Sequence, residues 1–289
     1  MTAGTKGQLV VAPAAAVRCA LLSDENYKYL QQEIYRQSGI VLDEDKHYLI
    51  ESRLMPLARN AKLANLDELC ARLRSKRWPE LSQEVMEALT TNETLFFRDM
   101  APFEALRMRV LPELMGQRPP TQTLRIWSAA ASSGQEAYSV AMLVHEMKLE
   151  SRPVEILGTD ISENILERAR QAKYVQFEVN RGLPAIYLVK YFERVGLDWR
   201  LKDGIRKMVT FRRFDLRQPV TPLGRFDIIL CRNVLIYFDV ETKVNILNQL
   251  WTALQPGGFL LLGGAETVLS VQDRFERIAV GTTAVYRKR

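Results

Sequence analysis

Residues 124–160 read LRIWSAAASSGQEAYSVAMLVHEMKLESRPVEILGTD, and their pattern decides the fold. Residues 124–128 are a short apolar run, and 129–134 are small residues ending in glycine. A helical stretch follows to about Lys148, and 154–158 form a second short apolar run. Strand, small-residue turn, helix and strand in succession predict a βαβ unit, the building block of a parallel sheet with helices on its faces.

The alternation continues toward the C-terminus. Ser162 caps a helix, 226–231 are a strand, and Asp239 caps a helix ending at Gln255-Pro-Gly-Gly258. Residues 259–262 are a fully apolar strand. Strands near 275–280 and 283–287 form a hairpin around Gly281, which places one antiparallel strand in the sheet. Between these, Pro184 starts a helix running to about Arg194. Residues 199–202 and 205–211 then read as a hairpin with Asp203-Gly204 at its turn.

Upstream, the pattern is helical. Ser23 caps a run that ends at Gly39, and a second helix covers 43–62 with Pro56 as a bend or break. Asn65 caps 66–75, while Pro79 and Pro102 open helices reaching Thr90 and Leu114. The expected organisation is a flexible leader (1–20), a helical domain (21–116), a linker (117–121) and an α/β domain (122–289) with an inserted subdomain at about 174–213. A Lys6 followed by an apolar stretch faintly imitates a signal peptide, but Pro13 and Arg18 interrupt it.

Composition excludes several classes. The 289 residues are 47% hydrophobic and 26% charged, enough to bury a full core without staples. No apolar run approaches a bilayer-spanning length. Cys19, Cys70 and Cys231 are scattered, which fits a reducing cytoplasm and argues against zinc or a redox dithiol. His47 and His145 are too few for a histidine metal cage or a Ser-His-Asp triad, so no metal is expected. The net charge is +6, and residues 171–213 carry all of it, with ten basic and four acidic side chains. Such a segment favours an acidic partner.

Ligands of open α/β sheets sit at the carboxyl ends of the strands, and three features converge there. The first is the small-residue turn 129–134, which lets a ligand approach backbone N–H groups. The second is Asp160 after the next strand, 26 residues past Gly134, near the offset of a ribose-binding acid. The third is Cys231-Arg232-Asn233 at a later strand end. Glu136 beside the turn disfavours a pyrophosphate and suits a cofactor with a cationic end. S-adenosylmethionine, with a ribose, a sulfonium and an ammonium group, fits that description.

The segments TTNETLFFR (90–98), WSAAASSGQEAYS (127–139) and RNVLIYF (232–238) closely resemble the chemotaxis receptor methyltransferase (CheR) family. The resemblance runs in order over about residues 20–289. It implies a class I S-adenosylmethionine-dependent methyltransferase, Rossmann-like, with a small N-terminal all-α domain and an inserted β-subdomain. It also implies transfer of the methyl group to glutamate carboxylates of methyl-accepting chemoreceptors, giving methyl esters and S-adenosylhomocysteine. Asn92, Thr94 and Arg98 match the loop joining the helical domain to the cofactor, Glu136 the acid near the methionine amino group, and Asp160 the ribose acid. Arg232 and Asn233 match the strand-end pair beside the cofactor. Asp215 and Leu216 match a dipeptide bordering the adenine that usually reads Asn-Leu, so Asp is a departure. Gln135 and Ala137, where many relatives carry Glu and Pro, are two more.

A glutamate carboxylate is ionised at neutral pH, so the reaction needs no general base. Tyr237 and Arg98 are the candidates for orienting it. The implied partner is the cytoplasmic helical bundle of a chemoreceptor, met by a monomeric cytoplasmic enzyme without membrane insertion or nucleic acid. Arg53, Arg59 and Lys62 lie in the segment matching the family's receptor-binding helix. The inserted hairpin lacks the glycine-rich stretch of relatives that grip a receptor pentapeptide, so pentapeptide-independent binding is expected. Two alternatives remain: a nucleic-acid methyltransferase, favoured by the basic segment, and a non-catalytic S-adenosylmethionine-binding regulator.

Overall fold

The computed structural model describes residues 22–149, 152–268 and 273–289. The expected leader at 1–20, with Cys19, lies outside the described residues.

Four helices lead the chain: α1 (Asp24–Ser38), α2 (His47–Asn60), α3 (Leu66–Arg74) and α4 (Pro79–Leu89). Their ends follow the capping signals. The Ser23 hydroxyl accepts from the Asn26 N–H, the Asn65 side chain accepts from Glu68, and Gly39 closes α1 at φ 76°. Pro56 does not break α2, because Ile50, Leu54 and Ala58 bury one continuous face around it. That helix starts at His47, not Asp43, whose carbonyl instead accepts from the Tyr27 hydroxyl. These helices close their own core, from Leu22 to Leu89.

The expected helix from Pro102 is one helical segment in three parts: α5 (Ala101–Ala105), a π-helical turn (Leu106–Val110) and α6 (Leu111–Gln117). Pro112 has no N–H to offer Met108, and the widened turn absorbs the misfit, with Leu111 N–H reaching the Leu106 carbonyl. Phe103, Leu106, Val110, Leu111 and Leu114 pack into the core of the α/β domain. The core of the four leading helices ends at Leu89, upstream of the expected boundary at residue 116.

The α/β domain continues with β1 (Leu124–Ala129), α7 (Gln135–Glu146), β2 (Val154–Asp160), α8 (Glu163–Gln171), β3 (Lys173–Tyr174), α9 (Gln176–Asn180), α10 (Ala185–Tyr191), β4 (Phe192–Val195), β5 (Asp198–Leu201), α11 (Asp203–Arg206) and β6 (Val209–Arg213). Then come β7 (Phe226–Cys231), α12 (Val240–Ala253), β8 (Leu254–Leu262), β9 (Phe275–Val280) and β10 (Thr283–Lys288). The main sheet has the order β6-β2-β1-β7-β8-β10-β9. Its strands are parallel except β10, which runs antiparallel to both neighbours. Alternate residues feed two cores: Ile126, Ile228, Leu230 and Leu261 on one face, Trp127, Ile229, Leu260 and Leu262 on the other. Burial on both faces explains why these strands read as near-continuous apolar runs.

The inserted segment differs from its expected form. The hairpin is β4–β5, turned at Gly196 (φ 64°) and Leu197, and β5 also pairs with β3. Asp203-Gly204 lies in the helical turn α11, and β6 joins the main sheet beside β2. The expected helix at 184–194 stops at Tyr191 because Phe192 starts a strand.

Candidate active site

The carboxyl ends of β1, β2, β6 and β7 open into one cleft, roofed by residues 90–95, by Ser38 at the end of α1 and by Ile40 beyond it. All nine residues expected at the cofactor line it: Asn92, Thr94, Arg98, Glu136, Asp160, Asp215, Leu216, Arg232 and Asn233. Tyr237 lines it too.

The turn after β1 places Ala130 (φ 61°), Ser132 (φ 51°) and Gly134 (φ 92°) in left-handed backbone. Its fixed shape lets Ser132 N–H donate to Asp160 Oδ2 at 2.9 Å, while Ser162 N–H donates to Oδ1 at 3.1 Å. The Ser132 hydroxyl donates to the Asn92 carbonyl at 2.7 Å, tying roof to floor. Burial raises the Asp160 pKa, and the backbone N–H bonds oppose that rise. Gly158 lets the two strands close up, since a Cβ there would lie 2.5 Å from the Phe211 ring.

Glu136, in the first turn of α7, is held by two donors. The Ser128 hydroxyl reaches Oε1 at 2.8 Å and Arg232 Nη1 reaches Oε2 at 3.0 Å. Arg232 Nη2 also donates to the Arg98 carbonyl at 2.8 Å and to Asp99 Oδ2 at 3.0 Å. The Arg232 side chain is 1% exposed. Its guanidinium braces Glu136 and the 98–99 segment, while its buried Nε has no hydrogen-bond partner among the described residues.

Asn233 has φ 57° and sits in a loop organised by Glu266. Glu266 Oε2 accepts from the N–H groups of Asn233 and Gly263 at 2.8 and 2.7 Å, and Oε1 from Val234 and Leu235 at 2.8 and 2.7 Å. Gly263 is required there, because a Cβ would fall 2.9 Å from both nitrogens of Asn233. At the end of β6, both oxygens of Asp215 are bound by Arg217.

Arg98 donates to the Glu93 carbonyl at 3.2 Å, and no carboxylate among the described residues forms an ion pair with it. Glu93 pairs instead with Arg181, and Asp99 with Arg232. Arg98 therefore offers a positive charge to an incoming anion. Tyr237 ends a short 3₁₀ turn, and its carbonyl accepts from Val41 N–H at 2.9 Å. The residues expected at the receptor separate. Arg59 and Lys62 are exposed, whereas Arg53 donates to the carbonyls of Leu89 and Thr90 and to the Thr91 hydroxyl.

The cleft suits the expected cofactor. A buried carboxylate fixed by backbone N–H groups keeps lone pairs for ribose hydroxyls, and a second carboxylate lies near the small-residue turn. Sequence reasoning missed Arg217 and Glu266 as well as the lining residues Ser38, Phe214 and Phe238. Gly263-Gly264 after an apolar strand was the one signal pointing to Glu266.

The family model described as "CheR methyltransferase, SAM binding domain" matches residues 92–284, and "CheR methyltransferase, all-alpha domain" matches 25–90. A chemotaxis protein methyltransferase of Vibrio parahaemolyticus is 41% identical over 273 residues, 92% of this chain and 98% of its own length. Chemotaxis protein methyltransferase 1 of Vibrio cholerae is 40% identical over the same shares of the two chains. Its namesake in Pseudomonas aeruginosa is 39% identical over 275 residues, 92% of this chain and 98% of the relative. With both of its parts matched and its motif residues gathered in one cleft, the chain belongs to the CheR family of chemotaxis methyltransferases.

Proposed function

We propose that this protein methylates glutamate side-chain carboxylates on the cytoplasmic helical bundle of chemoreceptors, forming methyl esters. The observation that carries this is the convergence of the cofactor residues with Arg98 and Tyr237 in one cleft. S-adenosylmethionine, when bound, supplies a methyl group on a cationic sulfur that is open to displacement.

The chain's own residues do the rest. Asp160 accepts from the ribose hydroxyls, Glu136 faces the methionine ammonium, and Asp215 and Leu216 border the adenine, with Asn92, Thr94 and Asn233 completing the wall. Arg98 attracts the receptor carboxylate and the Tyr237 hydroxyl donates to it, which fixes the angle of attack. An ionised glutamate has no proton to surrender, so no base is needed and alignment dominates the rate. Charge is neutralised as the two ions react, so the 90–95 roof aids by excluding water.

Arg59 and Lys62 are exposed for the acidic receptor face. The two-residue Gly196-Leu197 turn supports docking that needs no receptor pentapeptide. Among the ten basic residues of the positive segment, Lys173, Arg181, Lys190 and Arg200 pair with carboxylates, which weakens the case for nucleic acid. The test is mass spectrometry of a receptor cytoplasmic fragment after incubation with S-adenosylmethionine. Methyl groups confined to glutamates support the proposal; methyl groups on nitrogen-bearing side chains overturn it. Full turnover by Tyr237→Phe at saturating receptor would remove the tyrosine from the mechanism.

A further inference from the structure

The Asp215 carboxylate lines the cleft and is gripped by one side chain. Arg217 Nε lies 3.0 and 3.1 Å from its two oxygens, and Nη2 lies 2.6 Å from Oδ2. The Arg217 backbone N–H adds a bond to Oδ1 at 3.0 Å. The same guanidinium donates to the carbonyls of Tyr35, Arg36 and Gln37, the open end of α1. Gly39 makes room for this, since a Cβ there would lie 2.8 Å from Arg217 Cδ.

We propose that Arg217 is a cofactor-positioning residue, which neutralises Asp215 and fixes its remaining lone pair toward an adenine amino group. This rests on the cofactor reading of the cleft. A carboxylate has about four acceptor sites, and Arg217 brings three N–H donors to them, with Nε shared between the two oxygens. One is left for a ligand. The Asp215 side chain is only 17% exposed, so a ligand covering it strips away much of its remaining water. The cleft also holds the carboxylates of Glu93, Glu136 and Asp160, and of these Asp160 alone has no cationic partner among the described residues. Without Arg217, Asp215 would be a second uncompensated charge and would turn toward water. The interaction is thus a charge match, which an uncharged residue at 215 would not need.

A double-mutant cycle tests this, read by calorimetric titration with S-adenosylhomocysteine. Arg217→Gln keeps donors for the α1 carbonyls but loses the charge, and it should weaken binding about tenfold. Asp215→Asn removes the charge but keeps one accepting oxygen, so its affinity is the reference for the double variant. The double variant R217Q/D215N should recover to within about threefold of D215N. A double variant about tenfold weaker than D215N would overturn the proposal, because Arg217 would then act only through α1. Wild-type affinity in R217Q would overturn it too. Unchanged affinity in Asp215→Ala would overturn the adenine placement itself, and Asp160→Asn reports separately whether the cleft holds the cofactor. Should R217Q not fold, Arg217→Lys replaces it in the same cycle. The lysine ammonium keeps the charge but lacks the fork, so a smaller loss, again removed by D215N, is expected.

Discussion

Asparagine at position 160 removes one charge and one acceptor while keeping the shape. In the wild type, Ser132 N–H and Ser162 N–H each occupy a different oxygen of Asp160, at 2.9 and 3.1 Å. An asparagine offers one oxygen, so its amide N–H₂ must face one of these N–H groups, and the side chain turns away. The ribose hydroxyls then lose a charged acceptor. Hydrogen bonds to charged groups are worth about 1.5–3 kcal/mol, so cofactor affinity should fall about 10- to 150-fold. Calorimetric titration with S-adenosylmethionine or S-adenosylhomocysteine measures it. The wild type should also bind more weakly as pH falls. Burial raises the Asp160 pKa, and only its ionised form accepts both hydroxyls, so affinity is full above that pKa and lost below it. The sign for folding is opposite. A raised carboxylate pKa favours the protonated native state, so this contribution is fully present below the unfolded value of about 3.9 and fades as pH rises through the folded value. Asp160→Asn should abolish the pH dependence of binding. A variant with wild-type affinity and an unchanged pH profile would refute the assignment.

Three further outcomes follow from packing and burial. Glu266→Gln leaves two of four backbone N–H groups without a carboxylate oxygen, which should cost about 2–6 kcal/mol, read as a lower melting temperature; an unchanged melt would show that the loop is held otherwise. Gly158→Ala drives a methyl to within 2.5 Å of the Phe211 ring and should destabilise by about 1–3 kcal/mol in denaturant titration, whereas wild-type stability would mean the ring moves freely. Burial pushes the Cys70 thiol up to about 12 and Cys231 well above its ordinary value, so neither should react with iodoacetamide at pH 8 until the protein unfolds. Rapid labelling of either in the native protein would contradict that burial.

Much of this was legible in the sequence because it rests on local chemistry. Ser23, Asn65 and Asp239 cap the helices they precede, and Gly39 closes α1. The strands 124–129, 154–160 and 226–231 show as apolar runs because both of their faces are buried. What was misread depends on partners distant in sequence. The Asp203-Gly204 signal suggested a hairpin turn, but β2 takes the following strand into the main sheet and Gly196 makes the turn instead. The bonds of Arg53 to the end of α4 were not readable either. The Glu266 bonds to backbone 31–33 residues away and the Arg217 bonds to the end of α1, 180–182 residues away, could not be read from local pattern. The residues proposed for the cofactor were chosen through motif order, and the geometry adds that Arg232 and Arg217 each hold an acid.

Carboxyl methylation of a receptor leaves a base-labile methyl ester. Methyl-labelled S-adenosylmethionine incubated with the protein and receptor-containing membranes, followed by mild base, tests it most directly. Label on the receptor band that is released as volatile methanol is the predicted result, because methyl esters hydrolyse under those conditions. Label that stays on the receptor through base treatment would mean a nitrogen or carbon acceptor and would contradict the account.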